Sequence, residues 1–265
     1  MNSPTDSAKT YIFTGTCRAG SGVVAAVTSF LAERDCYICA LEQFDDESTG
    51  KFFMRAVFRL QANSPAIETI KNTFHQVSNT FDMEWHIYDP DVPVKTLILV
   101  SKFDHCLDDI LYRRRKGEFN MEIAAVVSNH LDLRAMVERE GLRFIHLPVT
   151  AETKALQEQQ LLELIDETRA ELVVLARYMQ ILSDGLSQQL AGRCINIHHS
   201  FLPGFKGAKP YHQAYDRGVK LIGATAHYVT SNLDEGPIIE QVLTRVDHNF
   251  KPEHLVRVGR DNECM

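Results

Sequence analysis

The chain has 265 residues, 45% of them hydrophobic and 24% charged, a composition that excludes disordered and collagen-like architectures and suits one large domain or two. Its formal net charge of −7 has the opposite sign to that of most nucleic-acid binders. No stretch approaches the ~18 consecutive apolar residues of a membrane span, and the opening MNSPTDSAKT lacks the pattern of a secretory signal, so a soluble, cytoplasmic protein without nucleic-acid or membrane partners is expected.

The first unit runs to about Tyr88. Thr10 to Gly15 reads as a strand, followed by the Gly-rich turn CRAGSG and by a helix from Val23 to Leu31 with helical apolar spacing. CYICALEQF is a second strand and DDESTG a polar turn. In KFFMRAVFRL, Phe52, Met54, Ala56 and Phe58 alternate with Phe53, Arg55, Val57 and Arg59, which predicts a third strand. Ser64 and Pro65 predict a helix start as N-cap and first-turn residues, with Ile67, Ile70, Phe74 and Val77 on one face. MEWHIY closes the unit as a fourth strand. The order βαββαβ is that of a ferredoxin-like split βαβ sandwich.

The chain carries six cysteines, and only Cys36 and Cys39 form a C-x-x-C pair. A thioredoxin-like pair would open a helix after a strand, whereas this one lies within an apolar strand pattern. A zinc site needs a second Cys/His pair at suitable spacing, and none follows nearby. Small core cysteines in a reducing compartment are expected, with no metal. The one basic run, Arg113 to Lys116 before Gly117, suits a solvated last helical turn, where cations oppose the negative dipole end.

A second unit follows the polar, Pro-bearing segment DPDVP, so the expected division is residues 1–88 and 89–265. VKTLILV, MEIAAVV, LRFIHLPV and AELVVLA are short, nearly continuous apolar runs separated by helical stretches, the grammar of a Rossmann-like, mostly parallel sheet buried on both faces. CINIHHSFLP, KLIGATAHYV and GPIIEQVLTRV extend the sheet.

Chemistry concentrates in this second half. Asn196 and His198 stand two apart at what reads as a strand's carboxyl end, so both side chains take one face, where open α/β sheets bind ligands. Asp234 follows 38 residues beyond Asn196 in the turn-rich SNLDEGPII. An amide, an imidazole and a carboxylate meeting there suit acyl-group chemistry, the amide stabilising an oxyanion and the other two moving protons. On the residues alone, a packed histidine and an ordinary turn aspartate remain open alternatives.

The string NIHHSFLPGFKGAKPYHQA, followed by GATAHYV and LDEGPII, resembles the folate-dependent formyltransferase family. Its signature is Asn-x-His, then Ser-x-Leu-Pro, then an acidic Gly-Pro loop about forty residues on. The resemblance implies that Asn196, His198 and Asp234 are the catalytic trio, although the family usually has Pro where this chain has His199. The unit before residue 89 looks like an ACT domain, a regulatory module that often binds amino acids. An ACT domain ahead of a formyltransferase-like domain is the arrangement of the family's deformylase branch, and HCLDDILYRRRKGEF also looks like that branch.

The resemblance therefore implies hydrolysis of 10-formyltetrahydrofolate to formate and tetrahydrofolate, supplying formate and balancing one-carbon pools for purine synthesis. No cofactor is implied, since the folate is the substrate. ARYMQIL resembles the segment that contacts the pterin, which makes Met179, Gln180, Ile181 and Leu182 substrate-binding candidates, with Tyr228, Val229 and Thr230 in a loop closing the other side through Leu233. Tyr211 and His212 lie in the family's loop near the site. A homo-oligomer and an amino-acid effector are further implied, the latter against a departure, because Arg18-Ala19-Gly20 replaces the ACT family's Pro-Asp-Arg. Relatives also continue beyond the helix expected near Pro252.

One difference from the transferases has a physical reading. Family members acting on phosphorylated amines have a Gly-rich loop after their first strand, whose backbone N–H groups cradle phosphate. Here no glycine occurs from Leu97 to Lys116, and Phe103 and Asp104 bring bulk and negative charge. Water is then the available nucleophile. The alternatives are formyl transfer to a small amine such as glycinamide ribonucleotide, and a catalytically inert regulator that binds folate or an amino acid.

Overall fold

The computed structural model describes residues 9–204 and 210–265, and its contacts divide the chain into two units, 1–92 and 93–265. The first comprises β1 (Thr10–Arg18), α1 (Val23–Ala32), β2 (Cys36–Asp46), β3 (Lys51–Leu60), α2 (Ile67–Phe81) and β4 (Glu84–Tyr88). Its antiparallel sheet has the order β2-β3-β1-β4, the ferredoxin-like arrangement that βαββαβ implies. Alternation decides the buried face: Tyr11, Phe13 and Cys17 of β1 and Phe52, Met54, Ala56 and Phe58 of β3 are all in the core. Phe74 of α2 sits at its centre, edge-on to Phe13, Phe30 and Trp85 at centroid distances of 5.0, 5.1 and 4.7 Å. Gly22 opens α1 at φ 88°, a conformation glycine adopts without steric cost.

Three local expectations are corrected. β1 runs on to Arg18 rather than ending at Gly15, because its pairing with β3 continues through Cys17↔Phe52 and Arg18↔Lys51. Ser64 does not cap α2, which begins at Ile67. Its hydroxyl donates to the Asp35 carbonyl at 2.6 Å and accepts the Gln61 N–H at 2.8 Å, binding the loop to the end of α1 instead. Cys39 is exposed rather than in the core, since it occupies the β-bulge between Ile38 and Ala40 that breaks the alternation of β2.

The second unit comprises β5 (Val94–Val100), α3 (His105–Lys116), β6 (Met121–Ser128), α4 (Arg134–Arg139), β7 (Phe144–His146), α5 (Lys154–Thr168), β8 (Leu172–Leu175), α6 (Asp184–Gln189), β9 (Cys194–His198), α7 (Pro210–Asp216), β10 (Leu221–Tyr228), β11 (Ile238–Arg245) and α8 (Pro252–Cys264). The seven-stranded sheet has the order β11-β10-β9-β8-β5-β6-β7. Strands β5 to β9 are parallel and β10 and β11 antiparallel. The apolar runs are buried on both faces: Leu97 and Leu99 belong to one core cluster, Ile98 and Val100 to another. The chain leaves β5 toward β6 on one side and later returns to β8 on the other. Such a switch point opens a crevice at the carboxyl ends of the strands.

The basic run fills the last turn of α3 as expected. Arg113 pairs with Asp109 at 2.8 Å and Arg115 with Glu140 at 2.6 Å. Among the described residues, no helix is long and apolar enough to cross a membrane.

Candidate active site

The crevice beyond β8 and β9 contains a cavity of about 270 Å³. β9 delivers Asn196 and His198 to it on one face, and β10 supports them from the antiparallel side, with His227 opposite Asn196 and Thr225 opposite His198. Thr225, fully buried, donates to the Ser200 carbonyl at 2.8 Å and accepts the Leu202 N–H at 3.1 Å, fixing the turn that follows His198. Asp234 reaches the same cavity from the loop before β11, at φ 57°. Gly236 makes that loop possible. A β-carbon there would collide with the Tyr228 carbonyl, whose own N–H is bonded to the Pro237 carbonyl at 2.9 Å.

The structure thus brings the three predicted polar groups together. His198 Nδ1 lies 3.3 Å from Asp234 Oδ1, and both side chains are almost wholly buried. Burial opposes charge on Asp234. The His198 contact and attraction from His198, His227 and His199 outweigh it, so the carboxyl titrates below its ordinary value. With Nδ1 turned to a carboxylate, Nε2 of His198 is left buried without a hydrogen-bond partner among the described residues.

His227 was not anticipated from the sequence. Its Nδ1 lies 2.9 Å from the Tyr228 carbonyl, so that nitrogen carries the proton and Nε2 accepts from Asn196 Nδ2 at 3.2 Å. One amide N–H of Asn196 is thereby fixed, and for the other no partner stands among the described residues. His227 also stands 3.8 Å from Asp234. The signal lay in GATAHYV, where period two puts His227 and Thr225 on one side of the strand and Tyr228 on the other.

The substrate-binding candidates divide accordingly. Met179, Gln180, Ile181, Leu182, Val229 and Thr230 line the cavity, with Met179 and Ile181 strongly exposed. Ser101, at the end of β5, anchors this segment by accepting the Met179 N–H at 3.0 Å while donating to Asn129 at 2.7 Å. Tyr228 contributes only its backbone to the support of His227 and is not part of the wall. Tyr211 is buried outside the cavity and His212 is exposed. The motif's FKGAK portion, residues 205–209, lies outside the described residues.

Beside the cavity lies a polar network that the sequence does not announce. Glu263 of α8 is held by His105 Nε2 at 2.7 Å and the Tyr211 hydroxyl at 2.9 Å, and lies 3.3 Å from Arg177 Nε. Burial again opposes its charge, but these partners hold its carboxyl below the ordinary range. His105, Cys106 and Glu263 place three metal-ligand atoms within 4.8 Å of one another, a cluster hidden in the sequence because α3 and α8 are far apart along the chain. The donor set suits a metal poorly. Arg177 stands against the carboxylate, and the Cys106 thiol is pushed up by its hydrogen bond with Cys264 and by burial, away from the thiolate a metal requires.

Residues 94–264 match the formyl transferase family model. The formyltetrahydrofolate deformylase of Corynebacterium sp. (strain P-1) is 51% identical over 254 residues, covering 96% of this chain and 89% of the relative. That of Escherichia coli K12 is 39% identical over 247 residues, covering 93% and 86%. The crystal structure of the Burkholderia mallei deformylase superposes with a TM-score of 0.91 at 52% identity, over 97% of this chain and 90% of that one. Glycinamide ribonucleotide transformylase 1 from Symbiobacterium toebii matches with a TM-score of 0.62 at 30% identity, over 65% and 82%. The chain belongs to the formyl transferase family, within its formyltetrahydrofolate deformylase group.

Proposed function

We propose that the protein hydrolyses 10-formyltetrahydrofolate to formate and tetrahydrofolate, with Asn196, His198 and Asp234 as its catalytic groups. The observation that carries this reading is the convergence of the three on one cavity, with a β5–α3 connection free of glycine beside it. Water enters beside His198 and attacks the formyl carbon as the coupled His198–Asp234 pair takes its proton. Asn196, oriented by His227, donates its remaining amide N–H to the oxyanion. The pair then protonates N10 and the C–N bond breaks. His198 Nδ1 and Asp234 Oδ1 face each other at 3.3 Å, so the two act as one proton-transfer unit.

Met179, Ile181 and Leu182 offer the apolar wall a flat heterocycle needs, and Val229 and Thr230 face it from the opposite loop. The Symbiobacterium transformylase shares the fold, but Phe103 and Asp104 stand where a phosphate cradle would require glycines. Release of formate from 10-formyltetrahydrofolate in buffer without an acceptor is the direct test.

The first unit we read as an ACT-like regulatory domain in a cytoplasmic homo-oligomer. A polar cleft of about 380 Å³ bounded by Arg18, Lys51, Asp82 and Glu84 offers both signs of charge, which suits a zwitterionic amino-acid effector. Exposed Tyr37, Phe44 and Phe53 on neighbouring strands β2 and β3 supply apolar surface for self-association. A monomer by light scattering at micromolar concentration would remove the oligomer.

A further inference from the structure

The cavity's fixed charges are few. Among the described residues lining it, Arg177 is the one lysine or arginine and Asp234 the one carboxylate. His199, which shares the wall, is pushed down to about 3 by burial and by the nearby Arg177 and His198, and is therefore neutral at physiological pH.

Arg177 follows β8 with φ 62°, a left-handed conformation that disfavours a β-carbon and that the surroundings must impose. Its side chain is 10% exposed. The guanidinium lies over the Phe103 ring, 4.9 Å from its centroid, and its Nε faces Glu263 at 3.3 Å. Glu263 is in turn committed to His105 and Tyr211. Even so, Nε and Nη1 of Arg177 are buried and donate no hydrogen bond among the described residues. A permanent cation is thus held by a carboxylate and an aromatic ring at the cavity wall.

We propose that Arg177 is the anion-holding residue of this site, its guanidinium receiving the formate that hydrolysis releases and the oxyanion that precedes it. The inference rests on the hydrolytic reading above. Water adds to the formyl carbon, the C–N10 bond breaks, and one water proton ends on N10. The formic acid left behind ionises, its proton passing to solvent through His198 and Asp234. Formyl transfer to an amine makes no carboxylate, whereas hydrolysis makes one beside the negative Asp234, and Arg177, although shared with Glu263, is the cation among the described lining residues that can offset the repulsion. A guanidinium fork matches the two oxygens of a carboxylate.

The test compares Arg177→Gln and Arg177→Lys with the wild type, reading inhibition by added sodium formate and binding of ¹³C-labelled formate by NMR. Losing a charge-assisted hydrogen bond should raise the formate inhibition constant about 10- to 100-fold in Arg177→Gln. The KM for 10-formyltetrahydrofolate should change by less than about threefold, because Met179, Gln180, Ile181 and Leu182, the pterin-contact candidates of the same segment, are left in place. Arg177→Lys, which keeps the charge and loses the fork, should fall between the two and decides the matter should the Gln variant not fold. A residue with a purely structural role would lower thermal stability and kcat while leaving the formate constant unmoved. That result in either folded variant overturns the proposal. Arg177-dependent formate binding by a wild type that releases no formate from 10-formyltetrahydrofolate would instead keep the anion site and overturn the hydrolytic reading.

Discussion

The two units handle buried polarity in opposite ways. In the first, Ser78 is the single buried polar side chain among the described residues, and the core is otherwise apolar, built on one face of an alternating sheet. In the second, thirteen polar or charged side chains are buried among the described residues, including Ser101, Asn129, His198, Thr225, His227 and Glu263. Each such group costs free energy unless it is paired, so the concentration is a sign of function rather than of folding. Ser101, Asn129, His198, Thr225 and His227 gather at the carboxyl ends of the strands, where they support or form the cavity wall. The first unit shows how this chain packs a core in which, among the described residues, no polar cluster is buried.

That contrast predicts unequal consequences of mutation. The largest effect on turnover belongs to His198→Ala and Asp234→Asn. Each should lower kcat by about 10³-fold or more, and the double variant should be little worse than either single, because residues acting as a unit are not additive. Asn196→Ala removes one oxyanion donor and should cost about 10²–10³ in kcat. Near-normal formate release by Asp234→Asn would break the assignment of the trio.

In the first unit the same size of insult should appear as stability alone. Phe74→Ala empties the centre of the aromatic cluster and should destabilise that unit by about 3–5 kcal/mol, the usual cost of truncating a buried phenylalanine. Formate release per folded molecule should stay near that of the wild type. Denaturant unfolding beside an initial-rate assay separates the two outcomes.

The smallest effects are in pH dependence. His199 titrates in the folded protein at about 3, against an ordinary value of 6.5. As pH falls from the higher value toward the lower, the unfolded chain takes up a proton that the folded chain refuses, and stability declines. His199→Gln should flatten stability over that window. Asp234 and Glu263 act lower down. Their depressed carboxyl values stabilise the fold above the ordinary carboxylate range, and this contribution is lost as pH falls through the folded-state values. Glu263→Gln should therefore weaken the dependence below about pH 4.5. Thermal melts across pH 3 to 7 check both.

How much was legible in the sequence follows the same division. Both sheets were readable from apolar alternation or apolar runs, since those patterns are local. The ends of β1 and α2 were not, because Arg18 is kept in the strand by its partner Lys51, and Ser64 is claimed by Asp35 across a turn. Asn196 and His198 share a strand and were visible by spacing, and Asp234 by its loop. The group that orients Asn196 was missed, because His227 on β10 looks like any strand histidine until the antiparallel register sets it opposite. Arg177 and Glu263 were missed for a stronger reason. Their pairing spans β8 to α8, and no periodicity connects them.

The most direct test of hydrolysis over transfer is product analysis with the wild-type protein. Transfer to a phosphorylated amine depends on holding the acceptor at an effective molarity up to ~10⁵–10⁸ M in well-oriented cases, and the glycine-free segment through Phe103 and Asp104 offers no evident cradle for its phosphate. Incubation with 10-formyltetrahydrofolate in plain buffer should release formate steadily. Added glycinamide ribonucleotide should neither accelerate the reaction nor become formylated. Formylated ribonucleotide appearing faster than formate would contradict the hydrolytic account.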